Sequence, residues 1–538
     1  MDGQDALEWS KHHANDEILQ ILSRASRKEM PSMSCDGILK AAALGPRELS
    51  EYLPEKGEDI NSSASELVRS ALFAAVKSCE HYAVASLLEV GADPNALREG
   101  RSVLQEAVAA SDIDLAEMLL DSGADVNHPS VLEAVDFNIE DLDLLRLLLN
   151  EVVDIKEYGG YALQRAALFG DLQAVRLLLS FGADVNVTPT NSDGATALQR
   201  AADQSEMASV IELLQAGADV NTAASRIRGL TALQAAASRR DAALVQTLLD
   251  AGANVNAPAA FQDGVTALQA ASKTGNVEIL KILLRAGADV NAPASKKGGK
   301  TALQAAINRT YFKESKGPEF VQILLAAGAD VNATASRRKD TPILQSAIKK
   351  EHVETVQLLL KARPDVNSPP KGKEGRSPLQ QAAETGNTCL VEALLEAGAN
   401  VNAAAGIEYG RTALQAAASA HTPNVELIEV LLTAGADVNA PAGPIGGITA
   451  LQGASIRGYV KIALRLLEAG ADVNSASATF DGRTALDGAA EHGHLDMVKI
   501  LLNAGATRNV FAEKRFDQAI ALAKENGHFE VVRLLESH

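Results

Sequence analysis

Apolar positions recur along the chain in short runs with the spacing of a helix. The segment NVEILKILLRAG, from Asn276, places Val, Ile and Leu at steps of three and four residues, which predicts a helix with one buried face. A shorter run of Leu and Ala, TALQAA, begins at a Thr that can accept an orphan backbone N–H at a helix start. Glycines such as Gly275 and Gly287 follow the two kinds of run, as left-handed turns at helix ends require. The pattern therefore predicts a unit of helix, turn, helix and loop.

This unit recurs in a fixed register. TALQ begins at Thr196, Thr231, Thr266 and Thr301, 35 residues apart each time, and AGADVN or a close variant keeps step with it. Self-similarity at such a period is the signature of a repeat array. With degenerate units included, about fifteen repeats run from residue 36 to the end of the sequence. The periodicity excludes a string of conventional globular domains.

The three coincident markers, TALQ-AA, the glycine turn and GADVN, resemble the ankyrin repeat over nearly the whole chain. The resemblance implies an all-α solenoid of helix-turn-helix repeats with β-hairpin finger loops. Long runs of TALQAAA and GADVNAPA are similar to arrays of filamentous fungi. Two features depart from the family pattern: the fingers are about two residues longer, and Gln replaces the usual His. Because an amide can still bridge the helix start by hydrogen bonds, we expect the same fold; these glutamines include Gln199, Gln234, Gln269, Gln304 and Gln415.

The ends and two internal positions deviate from the repeat. Residues 1–35 are interpreted as a degenerate helix pair or cap with a linker, residues 36–538 as the array, and residues 515–538 as a C-terminal capping repeat with a polar outer face. The segment KARPDVN puts Arg363 where glycine belongs, and a side chain at a left-handed position is strained. We therefore predict a softer joint near this residue. The repeat that begins at Thr301 carries an insertion between its helices, NRTYFKESKGPEF.

Composition narrows the function classes. The formal net charge of −19 argues against attraction of the whole protein to nucleic acid or an anionic membrane. No stretch approaches 18 consecutive apolar residues, so no membrane insertion is expected. Three widely separated cysteines favour a reducing compartment, the cytoplasm or the nucleus.

Motifs that imitate catalytic or ligand sites have simpler interpretations. SKKGGKTALQAA, residues 295–306, contains Gly299-Lys300-Thr301, the end of a phosphate-binding loop, but Ala294 stands where that loop needs its first glycine. We interpret Gly299 as shaping a finger turn. EHGHLD, residues 491–496, offers two histidines but too few ligands for zinc. We expect no catalytic residues, no metal and no cofactor.

Positive charge is concentrated in and near the predicted fingers of the central repeats. Because equivalent loops stack, residues 35 apart in sequence become neighbours, so these side chains form either a merely solvated surface or a basic stripe that binds an acidic segment. Two aromatic residues of the insertion are either contact anchors or a cover for their own helix pair. The candidate partner-binding residues are Arg226, Arg228, Arg239, Arg240, Lys273, Lys296, Lys297, Lys300, Arg309, Tyr311, Phe312, Arg337, Arg338, Lys339, Lys371, Lys373 and Arg376.

The predicted function is that of a protein–protein interaction scaffold without a catalytic step, which binds other proteins through fingers and groove. An acidic segment is the favoured partner chemistry. Two alternatives stay open at this point. The chain could be the recognition portion of a larger signalling or immune-like protein, or a transcription regulator that contacts nucleic acid through its basic fingers.

Overall fold

The computed structural model describes residues 34–53, 65–127, 129–135, 137, 142–152, 154–188, 194–308, 317–333, 342–368, 375–406, 408–480, 482–506 and 516–538. The cap predicted in residues 1–33 lies outside this part of the chain. The molecule divides into two compact units, Met1–Ala257 and Pro258–His538, and each is described by itself.

In the first unit, seven consecutive helix pairs form among the described residues, as the repeat register predicts. Within the stack, first helices pack on first helices and second helices on second helices of the adjacent repeats. The pairs are α1 (Cys35–Ala42) and α2 (Pro46–Tyr52), α3 (Ser65–Lys77) and α4 (His81–Glu89), α5 (Val103–Ala109) and α6 (Ile113–Asp121), α7 (Pro129–Glu133) and α8 (Asp143–Glu151), α9 (Ile155–Phe169) and α10 (Leu172–Ser180), α11 (Ala197–Gln204) and α12 (Met207–Gln215), and α13 (Ala232–Arg239) and α14 (Ala242–Asp250).

The second unit has eight pairs among its described residues, built in the same way. With the seven of the first unit they make fifteen, which agrees with the number expected from the sequence. The pairs are α15 (Ala267–Thr274) and α16 (Val277–Arg285), α17 (Ala302–Ile307) and α18 (Gly317–Ala326), α19 (Ile343–Lys349) and α20 (Val353–Lys361), α21 (Pro378–Thr385) and α22 (Thr388–Glu396), α23 (Ala413–Ala418) and α24 (Val425–Thr433), α25 (Ala450–Arg457) and α26 (Val460–Glu468), α27 (Ala485–Glu491) and α28 (Leu495–Asn503), and α29 (Asp517–Glu525) and α30 (Phe529–Ser537).

In the repeats that carry TALQ, its Thr and Gln fix the start of the first helix. In α15, the backbone N–H of Gln269 donates to Thr266 Oγ1 at 3.2 Å, and the backbone N–H of Thr266 donates to Gln269 Oε1 at 3.0 Å. This reciprocal pair satisfies two orphan donors at once. The buried Gln269 also donates from Nε2 to the carbonyl of Ala292 in the next repeat, at 3.0 Å. The expectation that glutamine can replace the family's histidine is confirmed.

In most repeats, residues with positive φ end both helices, as predicted. Gly275 ends α15 with φ +78°, and where this glycine is absent Ser205 and Arg240 adopt φ +61° and +69°. The glycine of AGAD, such as Gly287 at φ +84°, follows most second helices. Arg363 takes the same place after α20 with φ +54°, so its predicted left-handed conformation is confirmed.

The fingers differ from the expected β-hairpins in all but one described case. Only β1 (Leu97–Arg98) and β2 (Arg101–Ser102) form an antiparallel pair in the described residues. In the finger before α17, a Cβ on Gly299 would lie 2.2 Å from the backbone nitrogen of Ser295, because the chain doubles back within five residues. A loop this tight leaves no room for a hairpin ladder. Gly299 therefore shapes the turn as expected, because the lack of a side chain lets the backbone of Ser295 approach it closely. Its neighbour Gly298 has the positive φ, +85°.

Main-chain groups at these finger tips pair with the adjacent finger instead. The N–H of Lys297 donates to the carbonyl of Phe261 at 3.2 Å, and the N–H of Asp263 donates to the carbonyl of Lys297 at 2.8 Å. The two tips thus form a parallel β-bridge, centred on Gln262 and Lys297. The consequence is that finger side chains from consecutive repeats are held in register.

In the described part of the chain, none of the helices combines the length and the apolar composition needed to cross a membrane.

Candidate functional site: basic fingers and arginines on the repeats

The best-defined group of predicted residues lies on the bridged fingers of the second unit. The ammonium Nζ atoms of Lys296 and Lys297 lie 5.9 Å and 5.7 Å from the centroid of the Phe261 ring. Phe261 is 36% exposed, and both lysines are exposed. Attraction between an ammonium group and an aromatic face contributes about 0.5–1 kcal/mol at exposed sites. The three side chains, called here the Phe261 finger patch, therefore combine apolar surface with two positive charges.

Lys300 lies at the base of the same finger, and its charge acts on a second amine, that of Lys350. Lys350, one repeat further along, donates from Nζ to the carbonyl of Ile307 at 2.9 Å. The pKa of Lys350 is lowered, first by burial and then by the charge of Lys300. Positive charge therefore continues from the finger tip towards its base.

In the first unit, the predicted basic residues occupy two kinds of position. Arg226 and Arg228 are exposed on the finger before α13, and Arg228 has a positive φ of +53°. Arg239, at the end of α13, forms an ion pair with Asp203 of the preceding repeat, with Nη2 and Oδ2 2.9 Å apart. Its pKa is raised, chiefly by the hydrogen bond to Asp203. Arg240 is the exposed C-cap of α13.

The remaining predicted residues are distributed more widely. Lys273 is exposed in the last turn of α15. Arg376 pairs with Glu384 of its own repeat at 3.0 Å, so much of its charge is neutralised internally. The predictions for Arg309, Tyr311, Phe312, Arg337, Arg338, Lys339, Lys371 and Lys373 fall outside the described residues.

A second finger ladder carries exposed apolar side chains that sequence reasoning missed. The N–H of Tyr409 donates to the carbonyl of Ile445 at 2.9 Å, and the N–H of Gly446 donates to the carbonyl of Phe480 at 3.0 Å. Tyr409 and Phe480 are 54% and 63% exposed. Aromatic residues make up only 4% of the chain, so their occurrence at two finger tips was an available signal.

Two further arginines, also missed, converge on Ser419 at the end of α23. Arg411 donates from Nη1 to Ser419 Oγ at 2.8 Å, and Arg457 of the next repeat donates from Nε to the Ser419 carbonyl at 3.3 Å. The Nε of Arg411 is buried and has no hydrogen-bond partner among the described residues. Burial is the main cause that lowers the pKa of Arg411; Arg376 and Arg457 lower it further, while Glu384 raises it. The signal was available as an arginine directly before the capping Thr412.

One group in the first unit has side chains that could hold a metal ion. Ligand atoms of His81, Asp112 and Asp114 all lie within 4.8 Å of one another. His81 Nε2 is 3.0 Å from Asp112 Oδ1, and the same Oδ1 accepts the N–H of Leu115 at 3.1 Å as the N-cap of α6. The arrangement is explained by helix capping and a His–Asp contact.

Comparison with known families agrees with the repeat register. The family model for ankyrin repeats, in three copies, matches the chain over residues 38–130, 132–224, 209–294, 233–335, 312–405, 344–442, 414–512 and 451–538. No curated protein matches the chain.

Proposed function

Since the chain belongs to the ankyrin-repeat family, whose repeats are generally protein–protein interaction modules, we propose that it binds an acidic protein segment through the Phe261 finger patch. The observation that carries this proposal is the position of two ammonium groups over one exposed ring. A fold alone does not define a ligand, whereas the charge and the apolar surface of the patch favour one.

The electrostatics of the Phe261 finger patch favour an anionic partner. Lys296 and Lys297 are adjacent in sequence, and both ammonium groups approach the same ring, so they repel each other. A carboxylate placed between them would relieve this repulsion, and the Phe261 ring would cover an apolar side chain of the same segment. Lys300 extends the positive surface in the direction of Lys350.

The bridged fingers also favour binding because they are organised before a partner arrives. Main-chain bonds on both sides of Lys297 hold its side chain next to Phe261. Preorganised side chains lose less conformational freedom on association, which increases affinity. The patch would thus act as a fixed anchor for an extended peptide.

The test is binding of a labelled oligoglutamate peptide with one central tyrosine, measured by fluorescence anisotropy. Lys296→Glu with Lys297→Glu should weaken binding by about tenfold or more, because attraction becomes repulsion. The matched control is Lys361→Glu with Lys461→Glu, which reverses the same charge at exposed positions on second helices.

Equal affinity of the finger variant and the control variant would contradict the proposal. A labelled single-stranded DNA serves as a further probe, because a basic patch can also bind phosphates. DNA binding stronger than peptide binding, lost in the finger variant, would assign the patch to nucleic acid instead.

A further inference from the structure

The arginine pair at Ser419 stands out when equivalent positions of other repeats are compared. The seventh residue after the capping Thr or Ser is Asp203, Glu384 or Glu491 in three other repeats, and each of these carboxylates forms an ion pair with an arginine. In the repeat that begins at Thr412 the same position is Ser419. Two arginines thus meet at a position where three other repeats supply a carboxylate.

The geometry at Ser419 repeats both kinds of ion pair seen elsewhere. Arg411 precedes its helix and reaches the end of that helix, as Arg483 does when it pairs with Glu491 at 2.9 Å. Arg457 reaches back from the next repeat, as Arg239 does towards Asp203. Ser419 therefore receives an arginine from each direction, and it has no charge with which to balance them.

Ser419 cannot compensate for the missing carboxylate. Its hydroxyl donates to the carbonyl of Gln415 at 2.7 Å and accepts one bond from Arg411, so it satisfies a single N–H of that guanidinium. The buried Nε of Arg411 stays without a partner in the described part of the chain. An unsatisfied donor on a charged and partly desolvated group costs free energy that a bound anion would recover.

Neighbouring charges offset the charge of the pair only in part. Glu384 of the preceding repeat is engaged by Arg376 at 3.0 Å and by the amide of Gln381 at 3.3 Å. Among the described residues, neither Arg411 nor Arg457 has a carboxylate within ion-pair distance. The local charge is thus positive although the whole chain carries −19.

We propose that Arg411 and Arg457 form a binding site for one phosphate or carboxylate group carried by a protein partner. Guanidinium groups bind such oxyanions through paired N–H donors, and both groups here have donors left after bonding to Ser419. The site is separate from the Phe261 finger patch; only the choice of a protein as the source of the oxyanion rests on the proposed function.

The test uses the full chain and three short glycine-serine peptides, which carry one phosphoserine, one glutamate or, as control, one plain serine. Ligand-observed NMR line broadening detects the weak affinity expected for a single anionic contact. The phosphoserine peptide, the glutamate peptide or both should bind, and the serine peptide should not. Arg411→Gln and Arg457→Gln should each weaken binding about tenfold, in proportion to the loss of a charged hydrogen-bonding group.

Two further variants make the result specific. Ser419→Asp places a carboxylate where Asp203 stands in its own repeat, so it should occupy the arginines and abolish binding while the fold persists by circular dichroism. Arg483→Gln, which changes an arginine with its own Glu491 partner, should alter binding less than about twofold. Lys296→Glu with Lys297→Glu should also leave it unchanged, which separates this site from the finger patch.

The proposal is overturned if Arg411→Gln or Ser419→Asp binds the anionic peptides as the wild type does. It is equally overturned if the NMR lines of neither anionic peptide broaden. The same holds if inorganic phosphate binds and neither anionic peptide competes with it.

Discussion

The carboxamide of Asn439 and the backbone of Gly470 join two consecutive repeats of the second unit. Asn439 donates from Nδ2 to the carbonyl of Gly470 at 2.9 Å, and its Oδ1 accepts the N–H of Asp472 at 2.8 Å. The same pair of hydrogen bonds joins Asn402 to Gly435 and Asp437 of the following repeat. The last residue of GADVN is therefore a link between repeats.

Replacement of Asn439 by Ala should loosen this link locally. Two hydrogen bonds of about 1 kcal/mol each are lost, partly compensated by water because the site is exposed. We expect the amide of Asp472 to exchange its hydrogen about tenfold faster. Asn402→Ala is the matched control, since it should accelerate hydrogen exchange at the amide of Asp437 and leave exchange at Asp472 unchanged. If exchange at Asp472 is the same in Asn439→Ala and wild type, the link has no energetic role.

The joint at Arg363 should be strengthened by Arg363→Gly. Arg363 has φ +54°. Asn439 makes two bonds to the following repeat, but within the described residues Asn332 makes one, accepting the N–H of Asp365 at 2.9 Å. A residue with a Cβ in the left-handed conformation destabilises the fold by about 1 kcal/mol. The gain on replacing it by glycine is smaller than this, because glycine has more conformational freedom in the unfolded chain. We expect slower hydrogen exchange in α19 and α20.

Arg363→Ala is the control for this position, because it removes the long side chain and keeps the strained Cβ. A gain in protection from Arg363→Ala equal to that from Arg363→Gly would show that backbone strain is not the cause.

The local elements of the repeat could be predicted because their causes lie within a few residues. Thr266 and Gln269 are three residues apart and cap one helix, so TALQ alone indicates where α15 begins. The left-handed residue at position 363 was likewise predictable from its place in the motif. These features depend on backbone sterics and on hydrogen bonds within one repeat.

The contacts between repeats could not be predicted in the same way. The pairing of Lys297 with Phe261 depends on how closely one finger approaches the next, and a tight turn at Gly299 replaces the expected hairpin. The site proposed at Arg411 depends on the absence of a carboxylate at position 419, where three other repeats have one. A motif defines what its own residues do; a missing partner becomes apparent only when repeats are compared position by position.

His494 should make the C-terminal repeats less stable in mild acid. Its Nε2 lies 3.1 Å from the carbonyl of Ile456, and the ring stacks on His492 with centroids 6.0 Å apart. Burial is the main cause that lowers the pKa of His494, His492 and His528 lower it further, and the bond to Ile456 opposes them. The folded protein therefore binds this proton less readily than the unfolded chain does.

The sign of the effect follows from linkage. The contribution of neutral His494 is fully present above the unfolded pKa of about 6.5 and is lost as pH falls from that value through the lower pKa of the folded state. Between pH 7 and pH 5 the amides of α27 and α28 should lose protection against hydrogen exchange, after correction for the intrinsic rate. His494→Gln retains an amide donor for Ile456 without a titrating group, so its loss over the same range should be smaller. An equal loss in the variant would assign the effect to other groups.

The finger that carries Lys296 and Lys297 should open when Gly299 is replaced by Ala. The added Cβ would lie 2.2 Å from the backbone nitrogen of Ser295, and backbone atoms on a closed loop cannot move aside without breaking it. We expect a local cost of about 1–3 kcal/mol, as for other overpacked sites. The two main-chain bonds between the fingers would then be weakened.

Trypsin provides a direct measurement, because it cleaves after lysine and needs an opened backbone. Cleavage at Lys296 and Lys297 should be about tenfold faster in Gly299→Ala than in wild type, and oligoglutamate binding should weaken in parallel. Gly298→Asn is the matched control, since Arg228, Asp263 and Tyr409 occupy the equivalent finger position at φ +51° to +53°. It should leave cleavage nearly unchanged, because asparagine tolerates the left-handed conformation. Rapid cleavage in Gly298→Asn and none in Gly299→Ala would contradict this prediction. The positive φ of Gly298, and not the close backbone approach at Gly299, would then hold the lysines over Phe261.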